Sequence, residues 1–358
     1  MAGCMMIMAG GTGGHVFPAL AVATEMQDRG WDVFWLGTQN SFEARVIPQH
    51  GIEMQWIRIS ALRGKGMLAK LLMPWRLLHA MWQAMRVIHK KKPNVILGMG
   101  GFVSGPGGLV ARLMSKPLVI QEQNTIPGMT NRWLAKFATR VFEAFPGSFE
   151  NSVNTRVSGN PVRKDLLGLP KPEERSISEK QQINLLVLGG SLGAQALNKA
   201  VPAALALIDD SSRPQVKHQA GKDKLAETQR AYQQLGVNAE VIEFVDDMAA
   251  AYQWADLVVC RSGALTVSEL MAVGVASVLV PFPHAVDDHQ THNGNYLVDN
   301  GAAEMLQQSE MNSENLAALL QSLVNDQKRL LDMASAARRL AITDAAIVIA
   351  NACEEVAL

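Results

Sequence analysis

The sequence predicts an α/β protein built from two doubly wound domains with parallel sheets. Three observations carry this reading. Short apolar β-rich runs alternate with helical patterns along the chain, as in parallel sheets covered by helices on both faces. The chain has 358 residues, more than one ordinary core supports. Its opening pattern, "MMIMAGGTGGHVFP" at 5–18, recurs in form as "LLVLGGSLGAQALN" at 185–198. Each copy runs from a strand through Gly-Gly and a hydroxyl residue to a further glycine and a helix.

In the first half, strands are expected at Met5–Met8, Asp32–Leu36, Met54–Ile57, Val95–Leu97, Leu118–Gln121 and Arg140–Phe142. In the second half they are expected at Ile183–Leu188, Gln215–Gln219, Glu240–Phe244, Leu257–Cys260 and Ser277–Val280. The stretch Gly159–Gln182, with Pro161, Pro170 and Pro172, reads as the boundary. The expected domains are therefore 1–160 and 161–340, facing a cleft. A terminal helix over 341–358 is expected to pack back on the first.

Hydrophobic residues make up 48% of the chain and charged ones 18%, which suits a soluble globular protein. The net charge is zero, but its distribution is not even. Residues 1–160 hold 17 Lys and Arg against 8 Asp and Glu, and the remainder hold 16 against 25. From Met54 to Gln121 there are 11 basic residues and no acidic one. An anionic partner for the first half follows: nucleic acid, a membrane surface or phosphate. Cys4, Cys260 and Cys353 are far apart and form no metal pattern, so a reducing compartment is expected. The N-terminus lacks a basic start and has a glycine-rich centre, so it is not read as a signal peptide. No segment reads as transmembrane.

A strand, glycines and a helix start aim backbone N–H groups and the helix dipole at an anion. Neither copy has the dinucleotide spacing G-x-G-x-x-G or the Gly-Lys-Ser/Thr of nucleotide triphosphatases. A third glycine loop, "GMGGFVSGPGG", spans 98–108. Three such loops at strand ends favour phosphate-bearing ligands, although tight packing alone could explain any one. In "CRSGALTVSELMAVG" at 260–274, Ser262, Thr266 and Ser268 suit helix capping. Glu269, placed in the first turn, can accept both hydroxyls of a ribose, and Arg261 can meet a diphosphate. The amide of Gln290, in "PFPHAVDDHQTHN" at 281–293, can bind sugar hydroxyls. No Asp-x-Asp occurs, and no metal or cofactor is expected.

Seven stretches together are specific: GGTGGHVFPALAVA, LGMGGFVSGPGG, QEQNTIPGMTN, GNPVR, GGSLGAQALN, CRSGALTVSEL and DDHQTHN. In this order, across both domains, they resemble the bacterial N-acetylglucosamine transferases of peptidoglycan synthesis, the MurG family. The resemblance implies the glycosyltransferase B fold. It implies inverting transfer of N-acetylglucosamine from its UDP donor to the C4 hydroxyl of the muramyl sugar of lipid I, forming lipid II. It implies a peripheral protein on the cytoplasmic face of the inner membrane, with other cell-wall synthesis proteins as partners. The family often has histidine before Glu-Gln-Asn. Here the residue is Gln121, which keeps a hydrogen bond but no titrating role.

The resemblance also implies roles. Ser191 touches the diphosphate, while Arg163 and Val245 flank the nucleotide. Ala264, Leu265, Thr266, Val267, Ser268 and Glu269 form a helix-start site, with Glu269 on the ribose. Gln290 holds the donor sugar. In the first domain Thr12, Gly13 and Gly14 face the diphosphate or acceptor, and Asn124 the donor sugar. The transfer needs a base for the attacking hydroxyl. His15, at the end of the first loop, is the first candidate because imidazole titrates near neutral pH. Its alternative role is to bind phosphate or orient the loop. Glu122 is the second candidate, or else an orienting carboxylate.

The segment 63–93 is expected to meet the lipid-linked acceptor's membrane. Leu77, Met81, Ala84 and Ile88 give a packing stripe. Leu68, Leu71, Leu72, Trp75, Leu78 and Trp82 lie near another face, interleaved with Lys65, Lys70, Arg76 and Arg86. Such a mixture suits an anionic bilayer surface; a buried helix with basic ends is the alternative. A sugar-nucleotide 2-epimerase would need no lipid surface, and a non-catalytic sensor would need neither His15 nor Glu122. No base-reading module supports nucleic-acid binding.

Overall fold

The computed structural model describes residues 3–59, 73–175, 181–190 and 193–357. Residues Met1–Arg163 and Ile342–Leu358 form one compact unit, and Lys164–Ala341 a second. The division thus falls after Arg163, so Pro161–Arg163 go with the first unit.

The first unit holds a parallel sheet of seven strands: β1 (Cys4–Met8), β2 (Asp32–Gly37), β3 (Glu53–Trp56), β4 (Val95–Gly98), β5 (Leu118–Glu122), β6 (Arg140–Glu143) and β7 (Thr155–Val157), ordered β3-β2-β1-β4-β5-β6-β7. Met5–Met8 and Val95–Leu97 are fully buried. Strands covered on both faces need such continuous apolar runs rather than alternation. The helix Ala345–Ala357 packs against the helix Gly13–Asp28. Arg29 Nη1 reinforces this contact, lying 2.7 Å from Glu354 Oε2.

The second unit repeats the plan with six parallel strands: β8 (Asn184–Leu188), β9 (Gln215–Gln219), β10 (Glu240–Ile242), β11 (Leu257–Cys260), β12 (Ala276–Leu279) and β13 (Ala303–Met305). Their order is β10-β9-β8-β11-β12-β13. Both sheets reverse direction of winding next to their first strand: between β1 and β4, and between β8 and β11. Such a switch point leaves a crevice at the carboxyl ends of the strands, where doubly wound proteins bind ligands. Three of the four loops leaving these strands are the glycine loops, and the fourth is Arg261–Gly263.

Two strands were not expected from the sequence, β7 and β13. Each has three residues and lies at a sheet edge. Thr-Arg-Val and Ala-Glu-Met carry neither an apolar run nor a clear alternation, because an edge strand has less surface to bury.

Candidate active site

In the first unit, β1 ends in Ala9-Gly10-Gly11-Thr12 and the helix Gly13–Asp28 follows at once. Thr12 is the extended residue before the helix and makes no side-chain cap bond. The first-turn amides therefore stay directed outward from the helix start. Glu43, fully buried, holds the loop from behind. Its Oε2 accepts the Gly11 N–H at 3.1 Å, and its Oε1 accepts the Thr38 N–H and hydroxyl at 3.2 and 3.1 Å. The Ser104 hydroxyl joins this loop to the next, 2.9 Å from Met8 O and 2.8 Å from Gly100 O.

His15 is half-buried in the first turn of that helix. Its Nδ1 lies 2.7 Å from Gln123 Oε1, just beyond β5. The Gly100 backbone closes one side of the ring: a Cβ there would come within 2.9 Å of its Cε1 and Nδ1. Among the described residues, no hydrogen bond engages Nε2.

Glu122 ends β5 and is buried. Its Oε1 accepts from Asn124 N and Nδ2 at 2.9 and 3.0 Å, and its Oε2 from Gly128 N and Asn131 Nδ2 at 3.2 and 2.9 Å. Four donors on a buried carboxylate make it the organiser of the turn after β5, which sets where Asn124 sits. It has no open face from which to receive a substrate proton.

In the second unit the helix Ala264–Val273 starts directly after Gly263, again without a side-chain cap. Ala264 and Val267 are buried, and Leu265 and Thr266 are half-buried. Ser268 does not cap: its hydroxyl donates to Ala264 O at 2.9 Å inside the helix. Glu269 is in the second turn, not the first. Its Oε2 accepts the hydroxyl of buried Tyr252 at 3.1 Å.

Arg261 is strongly engaged. Its Nη1 donates to Val280 O and Pro281 O, both at 3.0 Å, and its Nη2 to Gln308 Oε1 at 2.6 Å. Burial lowers its pKa from the usual arginine value. Gln290 Oε1 accepts the Phe282 N–H at 2.9 Å. Both side chains thus brace the loop after β12. Val245 is buried. In the second glycine loop, Gly190 O accepts from Gly193 N and Gln219 Nε2, both at 2.9 Å. Ser191 lies outside the described residues.

The chain matches the glycosyltransferase family 28 N-terminal domain over residues 5–143 and the C-terminal domain of that family over residues 184–349. It is 53% identical over 352 residues to the UDP-N-acetylglucosamine–N-acetylmuramyl-(pentapeptide) pyrophosphoryl-undecaprenol N-acetylglucosamine transferase of Marinobacter nauticus, covering 98% of this chain and 97% of that one. It is 50% identical to the transferase of the same name from Dechloromonas aromatica, with both chains fully covered. The crystal structure of Acinetobacter baumannii MurG superposes with a TM-score of 0.87 at 40% identity, covering 99% of each chain. The chain belongs to the MurG family. Its two parallel α/β units are those of the glycosyltransferase B fold.

Seen as a MurG-family member, the chain carries a second feature, on its surface. The helix Met73–Lys91 buries Ala80, Ala84 and Ile88, with Leu77 and Met81 partly buried beside them. Its other face leaves Trp75, Leu78 and Trp82 exposed, at 73%, 57% and 52%. Leu71 and Leu72 lie outside the described residues. The helix Ser104–Leu113 packs against this one and also against Met129–Leu134. These two add exposed Leu113, Met129 and Trp133, which the sequence reading did not single out. Arg86 stacks over Trp82 at 4.8 Å, and Lys136 over Trp133 at 5.3 Å. Among the described residues no helix is long and apolar enough to cross a membrane.

Two further residues at the site were missed: Glu43 and Gln123. Glu43 is a lone carboxylate far in sequence from the glycines. Gln123 sits inside a quoted motif, but only the fold brings it to His15, 108 residues away. No local pattern marks either.

Proposed function

We propose that this chain transfers N-acetylglucosamine from UDP-N-acetylglucosamine to lipid I, forming lipid II for peptidoglycan. The observation that carries this is half identity, over full length, with transferases named for that donor and that acceptor. The second unit binds the donor. The amides at the start of Ala264–Val273 and the second glycine loop, Ser191 included, meet the diphosphate. Glu269 holds the ribose, the Val245 backbone the uracil and Gln290 the sugar, with Arg163 beside the nucleotide. Arg261 braces this pocket. The first unit presents the acceptor along Thr12, Gly13 and Gly14, while Asn124 contacts the donor sugar.

The chemistry is one displacement. The muramyl C4 oxygen bonds to the anomeric carbon from the face opposite UDP, so the configuration inverts. The bond from that carbon to the diphosphate breaks, and UDP leaves with the electron pair. His15 takes the hydroxyl proton at Nε2. Helix dipoles and backbone N–H groups stabilise the charge on the departing diphosphate. The engagement of Glu122 by four donors supports His15 over Glu122 as base.

The acceptor is lipid-linked, and we assign the Trp75, Leu78 and Trp82 face, with Leu71 and Leu72, to an anionic bilayer surface. The protein then acts as a peripheral protein at the cytoplasmic face of the inner membrane, beside other cell-wall synthesis proteins. The test is direct. Purified protein, UDP-N-acetylglucosamine and a soluble lipid I analogue should give UDP and the disaccharide product. Hydrolysis or epimerisation of the donor, with no product on the acceptor, would overturn the reading.

A further inference from the structure

Behind His15 lies a chain of three buried amide side chains, and its polarity is fixed. Gln121 Nε2 donates to Glu122 O at 3.1 Å and to Gly159 O at 3.4 Å. It also donates to Asn160 Oδ1 at 3.0 Å. Asn160 Nδ2 donates to Gln123 O at 3.0 Å. Gln123 Nε2 donates to Gln121 O at 3.2 Å and to Gln121 Oε1 at 2.6 Å. Each amide nitrogen faces at least one backbone carbonyl. A carbonyl only accepts, so none of the three can turn its oxygen that way without setting oxygen against oxygen. All three residues are buried, so a reversed amide would leave buried polar groups unpaired.

One consequence reaches His15. The Gln123 oxygen is the end of this chain and faces His15 Nδ1 at 2.7 Å. Only a protonated Nδ1 satisfies an acceptor there. We propose that Gln123 is a positioning residue that locks His15 as the Nδ1–H tautomer and so keeps the Nε2 lone pair for the reacting hydroxyl. This rests on the reading of His15 as the base. The ring gains and loses its proton at Nε2 alone, while Nδ1 keeps its hydrogen throughout. A base oriented by a third group is a recurring catalytic arrangement, and here the third group is a neutral amide. Its direction comes from Gln121. That side chain does not titrate, so the lock does not change with pH.

Histidine 15N spectroscopy of the labelled protein tests the lock without turnover. His15 is assigned by the signal lost in His15→Gln. At a pH where the ring is neutral, long-range proton–nitrogen correlations should show hydrogen on Nδ1 and a lone pair on Nε2. Gln123→Leu should convert this to a tautomer mixture. Gln123→Met serves the same purpose should the leucine variant fold poorly. Turnover at saturating substrates should fall roughly ten- to a hundred-fold in these variants, with KM for UDP-N-acetylglucosamine within about two-fold. Hydrogen on Nε2 in the parent protein overturns the proposal. So does parental turnover in a variant whose tautomer has changed. Parental turnover in His15→Gln overturns the base assignment instead, and the spectrum still decides the tautomer.

Discussion

The Gly11 N–H donates to Glu43 Oε2 at 3.1 Å, which ties the first glycine loop to a fully buried carboxylate. The same side chain accepts both Thr38 donors. Glu43→Ala strands the two donors of buried Thr38 and releases the N–H of exposed Gly11, and the expected loss of stability is about 2–4 kcal/mol. Urea unfolding measures it. A midpoint equal to the parent's would show that water replaces the carboxylate and that the loop does not depend on it.

Gly100 stands against the imidazole of His15 with φ +95. A methyl group there meets the ring at 2.9 Å and is strained by the backbone as well. Gly100→Ala should push the ring off the Gln123 oxygen. Turnover should drop by about ten-fold or more, since small displacements of a catalytic group are costly. UDP binding, which we assign to the other unit, should stay near the parent value by calorimetry. Equal losses in both would point to general unfolding.

These two cases show what the sequence disclosed and what it withheld. Strands such as Met5–Met8 and Val95–Leu97 are unbroken apolar runs next to glycine loops, so period and punctuation reveal them. The loops at the switch points were therefore legible, and so was His15 beside one of them. Its environment was not. Gln123, Gln121 and Asn160 are ordinary amides whose meaning lies in which atom faces which carbonyl. Glu43 and Gly100 come to the site only through crossover connections. The helix start at Ala264 was legible, but Glu269 is the sixth residue from it and so falls in the second turn, past the roughly 3.6 residues of the first.

His218 gives the second unit an acid-sensitive point. It is fully buried, its Nδ1 lies 2.8 Å from Tyr232 Oη, and its Nε2 lies 3.0 Å from Asn198 Oδ1. Burial lowers its pKa from 6.5 to about 3. The folded state thus keeps it neutral where the unfolded chain binds a proton. Stability from this group is whole above about pH 6.5 and is lost as pH falls toward 3, at up to about 1.4 kcal/mol per unit. Unfolding free energies from pH 7 to 4 should show this slope, and His218→Gln should reduce it. An equal slope in the variant would assign the acid sensitivity elsewhere.

The exposed face of the Met73–Lys91 helix should bind vesicles containing anionic lipid, more weakly as salt rises. Trp75→Ser with Trp82→Ser removes its two largest exposed side chains. Flotation with vesicles should then show reduced binding, while UDP affinity stays unchanged. Full retention on vesicles would move the contact to Leu113, Met129 and Trp133.

The pH dependence of turnover separates His15 from Glu122. A general base must be unprotonated, so turnover should fall on the acid side of its pH profile. His15→Ala should reduce turnover by about two to four orders of magnitude and remove that acidic limb. Glu122 is expected to behave differently, because its two oxygens already serve Asn124, Gly128 and Asn131. Glu122→Gln turns an amide toward some of these donors, and about 1–3 kcal/mol of stability should be lost. The altered Asn124 should raise KM for the donor, while the acidic limb remains. Turnover across pH at saturating donor and acceptor distinguishes the two. An acidic limb that survives in His15→Ala and vanishes in Glu122→Gln would transfer the base role to the carboxylate, against the four hydrogen bonds that hold it.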